Sequence, residues 1–444
     1  MKVDSITSSS SKHPIDPTTA DVPTEEGGGG IDMTTTTDNS SNYYYYSRRR
    51  SLQDSSWVEV VKKEGGIDND EFGKPSCLSG DGMTLAVGAI HSDASGNDSG
   101  SVHIYKRGGS SGTFQQNVPN IPGYNPGDMF GWSISLSDNG GVLAIGAPEE
   151  GWGGKVRLYK DNGTAGYALL PITNLVGGGG SERFGHSVSL SGDGSTLAVG
   201  APDRPVSWSG SAFVGGGYVH VYSVNSNAGT VQGPIIISPT VAGFGYSVSQ
   251  TDSGDFLGVG IRGTNTVQIY SRGTSTYNLR CVVSGGDAVT FSGGNSYRFA
   301  VRGSGEVKVY QINGGVCDTI QQMGAVIPVG GPGDRDEILF SLSDDGQVLA
   351  IADTPGFERR VLVYELVPST IGVNNLEFKQ RGAYINVASS QAVSLSDDGK
   401  VVAFGTGFQQ GSGSADNGFA YVYDWRTQTS PPAPPPTPIV SSIY

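Results

Sequence analysis

The chain has 444 residues, of which 69 are glycine, and only 16% are charged. Glycine at about twice its usual share of ~7% suits an all-β protein with many short turns, and no long stretch places apolar residues at helical spacing. The net charge of −14 repels phosphate backbones and anionic membrane surfaces, which argues against nucleic-acid binding, and no run of about 18 apolar residues is present to span a membrane as a helix.

In chain order, residues 1–53 form a low-complexity tail with Ser, Gly, Thr and Tyr runs. Such a segment buries too little apolar surface to offset the entropy of ordering, so it is expected to be disordered. Met1 to Lys12 is Ser-rich without an apolar core and does not read as a secretory signal. Arg48-Arg49-Arg50-Ser51 has the form of a basophilic kinase substrate and makes Ser51 a candidate phosphorylation site. Residues 427–444 form a Pro-rich tail whose run at 431–436 favours stiff polyproline II.

Between the tails, residues 54–426 repeat. A short strand ending in tyrosine recurs at residues 102–105, 156–159, 219–222, 267–270, 307–310, 361–364 and 420–423. Upstream of each lies a pair of strands with period-2 alternation, joined by Asp-Gly or Asn-Gly turns such as Asp81-Gly82, Asn139-Gly140, Asp193-Gly194, Asp345-Gly346 and Asp398-Gly399. The fifth copy, Ala288 to Tyr310, is degraded but recognisable.

Phe130-Gly131 with Gly146-Ala147-Pro148, and Phe184-Gly185 with Gly200-Ala201-Pro202, resemble the FG-GAP repeat of the integrin α-subunit head propeller. Phe72-Gly73 with Gly88-Ala89, and Phe244-Gly245, match in part. The resemblance covers about residues 57–426 and implies an all-β, seven-bladed β-propeller of four-stranded antiparallel blades, strands a to d. Residues 57–61 precede the first repeat as an orphan strand, and the seventh repeat lacks a strand d. The orphan is expected to complete the last blade, removing a sheet edge. Leu143, Ile145, Val156 and Leu158 should pack between blades.

Strand order puts the a–b and c–d turns on one face and the b–c and d–a loops on the other. The b–c loops are longest in repeats 1 (residues 90–100), 3 (203–217) and 7 (406–419) and intermediate in repeat 2 (149–154), so they cluster on one arc. That arc carries the candidate ligand-binding residues Trp152, Trp208, Phe213, Phe408, Glu149, Glu150, Asp203 and Arg204. In integrin heads the ligand face is the same side, so the resemblance implies a protein or glycan ligand and leans towards a cell-surface or secreted protein. The sequons at Asn39, Asn97 and Asn162 permit glycosylation there.

The family's calcium loop is cut here to Asp138-Asn139-Gly140, Asp344-Asp345-Gly346 or Asp397-Asp398-Gly399, too few oxygens for calcium, so neither metal nor other cofactor is expected. The acidic runs at 68–71 and 334–337 read as solvated faces. His103 and His220 share one slot of the repeated strand c, and no G-x-S-x-G, H-E-x-x-H or Walker pattern occurs, so no catalytic residue is assigned. Strand a reads mostly as Ser, Val, Ile and Leu, which favours a non-enzymatic binding module over the alternative, a propeller hydrolase or lyase with its site at the central channel, and the chain is expected to be a monomer. Cys77, Cys281 and Cys317 are expected as buried small apolar residues, with a Cys281–Cys317 disulfide as the alternative.

Overall fold

The computed structural model describes residues 56–66, 70–108, 112–172, 175–203, 205–209, 212–237, 241–303, 305–313, 320–329, 340–353, 360–387, 392–407 and 417–426. Ser51, Arg204, Phe408, Cys317 and both tails lie outside these residues, and so does the disulfide alternative.

Seven antiparallel sheets follow one another along the chain. Blade 1 runs Phe72–Leu78, Thr84–Ala89, Ser101–Gly108 and Thr113–Gln115, and blade 2 runs Ser133–Leu136, Val142–Ala147, Lys155–Asp161 and Tyr167–Leu169. Blade 3 runs Ser187–Leu190, Thr196–Ala201, Tyr218–Asn225 and Thr230–Ile237, with an extra hairpin, Pro205–Ser209 and Ala212–Gly215, in its b–c loop. Blade 4 spans Phe244–Gln250 to Tyr277–Ser284, blade 5 Ala288–Phe291 to Ile320–Pro328, and blade 6 Phe340–Leu342 to Leu376–Gln380. Blade 7 has Ala392–Leu395, Val401–Thr406 and Phe419–Arg426, and its outer strand is the N-terminal Ser56–Glu64. The orphan strand therefore closes the ring as expected, and is longer than residues 57–61.

The repeated residues explain the ring. Each FG pair sits in a tight turn in which the amide two residues after the Phe donates to the carbonyl just before it: Lys74 to Glu71 (3.2 Å), Trp132 to Met129 (3.2 Å), His186 to Arg183 (3.0 Å) and Tyr246 to Gly243 (3.3 Å). The FG glycines adopt φ between +88° and +109°, a region closed to a side chain without strain. The GAP glycine has a different task. A Cβ on Gly146 would lie 2.1 Å from the Gly185 carbonyl of the next blade, and one on Gly200 2.0 Å from that of Gly245. A third glycine, one residue before strand c, is equally crowded: Gly100, Gly154, Gly217 and Gly418 each face the next FG phenylalanine's carbonyl, at 1.9–2.2 Å from an added Cβ. Blades meet backbone to backbone, and glycine is what allows it.

Side chains fill the remaining space between blades. Leu143 and Ile145 pack with Val102, Ile104 and Phe130 between blades 1 and 2, and Val156 and Leu158 with Phe184, Leu190 and Leu197 between blades 2 and 3. Phe72, Phe130, Phe184 and Phe244 are at most 1% exposed. His103 and His220 stand edge-on to the FG phenylalanine of their own blades, Phe72 (5.1 Å) and Phe184 (5.6 Å), as a shared repeat slot requires. Burial holds His103 down at about 4 and pushes the half-buried Cys77 thiol up to about 11.

Of the acidic run at 68–71, the described residues Asp70 and Glu71 are not part of the solvated face that its charge suggests. Asp70 and Glu71 are buried, because Glu71 forms the start of the first FG turn and faces Lys74 and His91. The run at 334–337 lies outside the described residues. Among the described residues the only helical segment is the turn Gly163–Ala165, and no helix is long and apolar enough to cross a membrane.

Candidate functional site

Two ends of the central axis differ sharply. On the a–b face, one hydroxyl organises each turn. Ser79, Ser137, Ser191, Ser343 and Ser396 accept a hydrogen bond from the amide five residues on, at 2.9–3.0 Å, and donate to the side chain two residues on. That second side chain, Asp81, Asp193, Asp345 or Asp398, in turn accepts a backbone amide. These carboxylates build the turn.

The residue between hydroxyl and acid points inward instead. Backbone bonds link these positions from blade to blade all the way round: Asp81 to Asp138, Asp138 to Gly192, Gly192 to Asp252, Asp252 to Gly293, Gly294 to Asp344, Asp344 to Asp397, and Asp397 to Gly80, at 2.8–3.1 Å. Asp138, Asp252, Asp344 and Asp397 thus converge at one mouth, and Gly80, Gly192 and Gly293 make room for the carboxylates beside them. Burial first, and the other carboxylates second, push Asp397 up to about 7 and raise Asp252 and Asp138 as well. Among the described residues no group of three or more His, Cys, Asp or Glu is arranged as metal ligands.

A carboxyl whose folded pKa lies above its unfolded value of about 4 favours folding below that value and loses the benefit as pH rises through the folded pKa. The propeller is therefore expected to melt higher at pH 5 than at pH 8. Asp252→Asn should raise the pH 8 melting temperature and reduce the pH difference, by about 1 kcal/mol once screening at these partly exposed groups is allowed for. A thermal melt of both proteins at the two pH values reads this directly, and a wild type more stable at pH 8 would contradict it. Arg298, which donates to the Asp345 carbonyl, is the charged neighbour from blade 5.

At the opposite mouth, on the b–c and d–a face, the FG turns present the residues that flank them. Lys74, Trp132, His186 and Tyr246, each directly after an FG glycine, line up from blade 1 to blade 4. The Trp132 and His186 rings lie 5.8 Å apart, and His186 and Tyr246 5.1 Å apart. Cations cover the row: Arg183 stands 4.9 Å from the Trp132 ring centre, Lys74 5.9 Å from it, and Arg262 5.0 Å from that of Tyr246. His186 and Tyr246 are buried and prop the half-buried Trp132. Beside them, His91 sits between Asp98 (2.9 Å) and Glu71 (3.8 Å).

The expected loop arc adjoins this row. Trp152 is 87% exposed. Glu149 binds Arg183 at 3.0 Å, and Asp203 lies 3.8 Å from the same guanidinium, so these two acids link the loops of blades 2 and 3 to Trp132. Glu150 is elsewhere in character: only 2% exposed, it holds Lys155 at 2.8 Å and also Arg157. Burial alone would raise its pKa, but the bonds to Arg157 and Lys155 outweigh this and hold it low. Arg157 also lies 3.7 Å from the Tyr124 ring centre. Trp208 and Phe213 are register partners in the extra hairpin of blade 3, with side chains outside the described residues.

The axial row was absent from the sequence expectation, which took the channel lining to be Ser, Val, Ile and Leu. Those residues face the blade interfaces, whereas the mouth belongs to the residue after each FG, and aligning Lys74, Trp132, His186 and Tyr246 on that slot is the signal that finds it.

A closed ring of seven four-stranded blades with these turns defines a β-propeller. Its first blade carries an FG-GAP-type repeat: the model of the family described as FG-GAP repeat matches residues 61–105, from the closing strand to the end of the strand c motif in blade 1. No curated protein sequence matches the chain. Among solved structures, the Myceliophteria thermophila Cps50 (Swd1) β-propeller domain is similar with a TM-score of 0.52 at 11% identity, covering 83% of this chain and 100% of that one. Kuenenia stuttgartiensis hydrazine synthase gives 0.52 at 13% identity, covering 80% and 97%. A Bacteroides uniformis protein described as a candidate 6-phosphogluconolactonase gives 0.50 at 12% identity, covering 72% and 88%. At such identities the likeness is one of fold alone.

Proposed function

We propose that this chain is a non-enzymatic binding propeller that takes a protein or glycan ligand on its b–c and d–a face, across the long loops of repeats 7, 1, 2 and 3. The observation that carries the reading is Trp152, 87% exposed on a rigid blade and joined through Glu149 and Arg183 to the Trp132 row at the axis. A large aromatic ring held in water by a rigid scaffold gains from being covered, and Trp and Arg are the residues that most often anchor a partner. The opposite face offers short, self-bonded turns and a repelling ring of carboxylates. The acidic chain as a whole disfavours nucleic acid, and its closed ring leaves the blades without an unfilled position, which suits a monomer.

A photo-crosslinking side chain placed at position 152 is expected to capture the ligand, while the same group at position 83, where Met83 is 44% exposed on the a–b face, captures nothing. Capture at 83 alone would place the binding face at the other end of the axis. The second reading, a propeller enzyme, draws on His91 between two carboxylates; turnover of a substrate that His91→Ala abolishes, at unchanged melting temperature, would favour it.

A further inference from the structure

The charges around Trp132 and Trp152 are already matched. Arg183 is bound by Glu149 and approached by Asp203, Lys74 faces Glu71 at 3.7 Å, and Arg157 and Lys155 share Glu150. An anionic ligand would have to displace a carboxylate to reach any of these cations, against the field of a chain with net charge −14. A cationic ligand would have to separate the same pairs. What the face offers freely is aromatic area: Trp152 at 87% exposure and Tyr124 at 45%. Arg157, stacked on Tyr124, binds the buried Glu150, two residues before Trp152, and so ties together the loops that carry the two rings.

Tyr124 also borders a cleft of about 360 Å³ between blades 1 and 2, lined by Asn120, Tyr159, Tyr167 and Leu169. Exposed aromatic rings beside charges that are already paired suit a ligand whose rings have apolar faces and hydroxyl rims. Sugar rings stack their C–H faces on indole and phenol, and their hydroxyls satisfy both carboxylates and guanidinium groups without bringing charge.

We infer that the ligand of this face is an uncharged oligosaccharide that stacks on Trp152 and Tyr124. This rests on the reading of the b–c and d–a face as the binding face. The full chain is titrated, by its tryptophan fluorescence, with hexasaccharides of glucose (β-1,3 and β-1,4), mannose and xylose, and in parallel with oligogalacturonate and heparin fragments. At least one neutral hexasaccharide is expected to bind, unaffected by high salt, and Trp152→Ala and Tyr124→Ala are each expected to weaken it tenfold or more at unchanged melting temperature. Binding of the anionic fragments alone, abolished by salt, or binding of no hexasaccharide at all, overturns the ligand class; capture by the crosslinker at position 152 then still supports the face. Neutral sugar binding that survives both substitutions overturns the face as well.

Discussion

A chain that begins at residue 65 is expected to lose cooperative unfolding, whereas one that begins at residue 51 should melt with the full-length protein. The strand Ser56–Glu64 is the outer strand of blade 7, paired along its length from Ser56 opposite Arg426 to Glu64 opposite Phe419. Its side chains hold several other elements. The Trp57 and Trp425 rings meet at 5.2 Å, the Trp57 indole donates to the Arg381 carbonyl at 3.0 Å, and Val61 packs on the core between blades 7 and 1. Lys62 stands 3.9 Å from the Phe419 ring centre, and the Tyr423 hydroxyl donates to Glu59 at 2.9 Å. Removing the strand exposes the whole edge of Phe419–Arg426 together with this apolar surface. A loss of more than about 5 kcal/mol is expected, comparable with the ~5–15 kcal/mol stability of a folded protein. The residues before position 51 have the composition of a segment that buries nothing. Circular dichroism melts of the two truncations decide the matter: equal curves would mean that the ring does not depend on its first strand.

The second large effect is expected from one methyl group. Gly200→Ala puts a Cβ 2.0 Å from the Gly245 carbonyl oxygen and 2.4 Å from the Ser187 hydroxyl oxygen. Both are fixed: the carbonyl belongs to the next blade's FG turn, and it accepts the Ser187 hydroxyl at 2.9 Å. No flexible side chain is present to swing away, so blades 3 and 4 must separate. A cost of about 3 kcal/mol or more is expected, in the range of severe overpacking. Gly146→Ala repeats the experiment between blades 2 and 3, where the same Cβ meets the Gly185 carbonyl at 2.1 Å. Gly108→Ala, at a position with no atom within 4 Å of the added Cβ, should stay within about 0.5 kcal/mol of wild type. Denaturant melts of the three variants give the comparison. Equal stability of Gly200→Ala and Gly108→Ala would show that the close approach of blades is not what the motif's glycine secures.

These two effects also mark how far the sequence reaches. The FG, GAP and Asp-Gly signatures, the tyrosine-ended strand and the orphan before the first repeat were enough to define seven blades and their closure, because each is a local demand of backbone geometry repeated at a fixed interval. The place of Trp152 in a loop of the b–c face was legible for the same reason, whereas its 87% exposure came from the fold. By contrast, Glu149 and Glu150 are neighbours of like charge in the sequence, and nothing local separates them. Only the packing of blade 2 turns Glu150 inward onto Arg157 and Lys155 and leaves Glu149 to reach Arg183 of the next turn. The row Trp132, His186 and Tyr246 is spread over 115 positions, and the ring of Asp138, Asp252, Asp344 and Asp397 over more than twice that. Each member looks like an ordinary turn residue by itself. Their meeting is a consequence of the sevenfold arrangement, which places the same slot of every repeat at one radius and one height about the axis. The sequence by itself determined the repeat and the closure through local stereochemistry, whereas which slots converge, and which charges they find there, was decided by the tertiary ring, because only closure makes neighbours of residues some fifty positions apart.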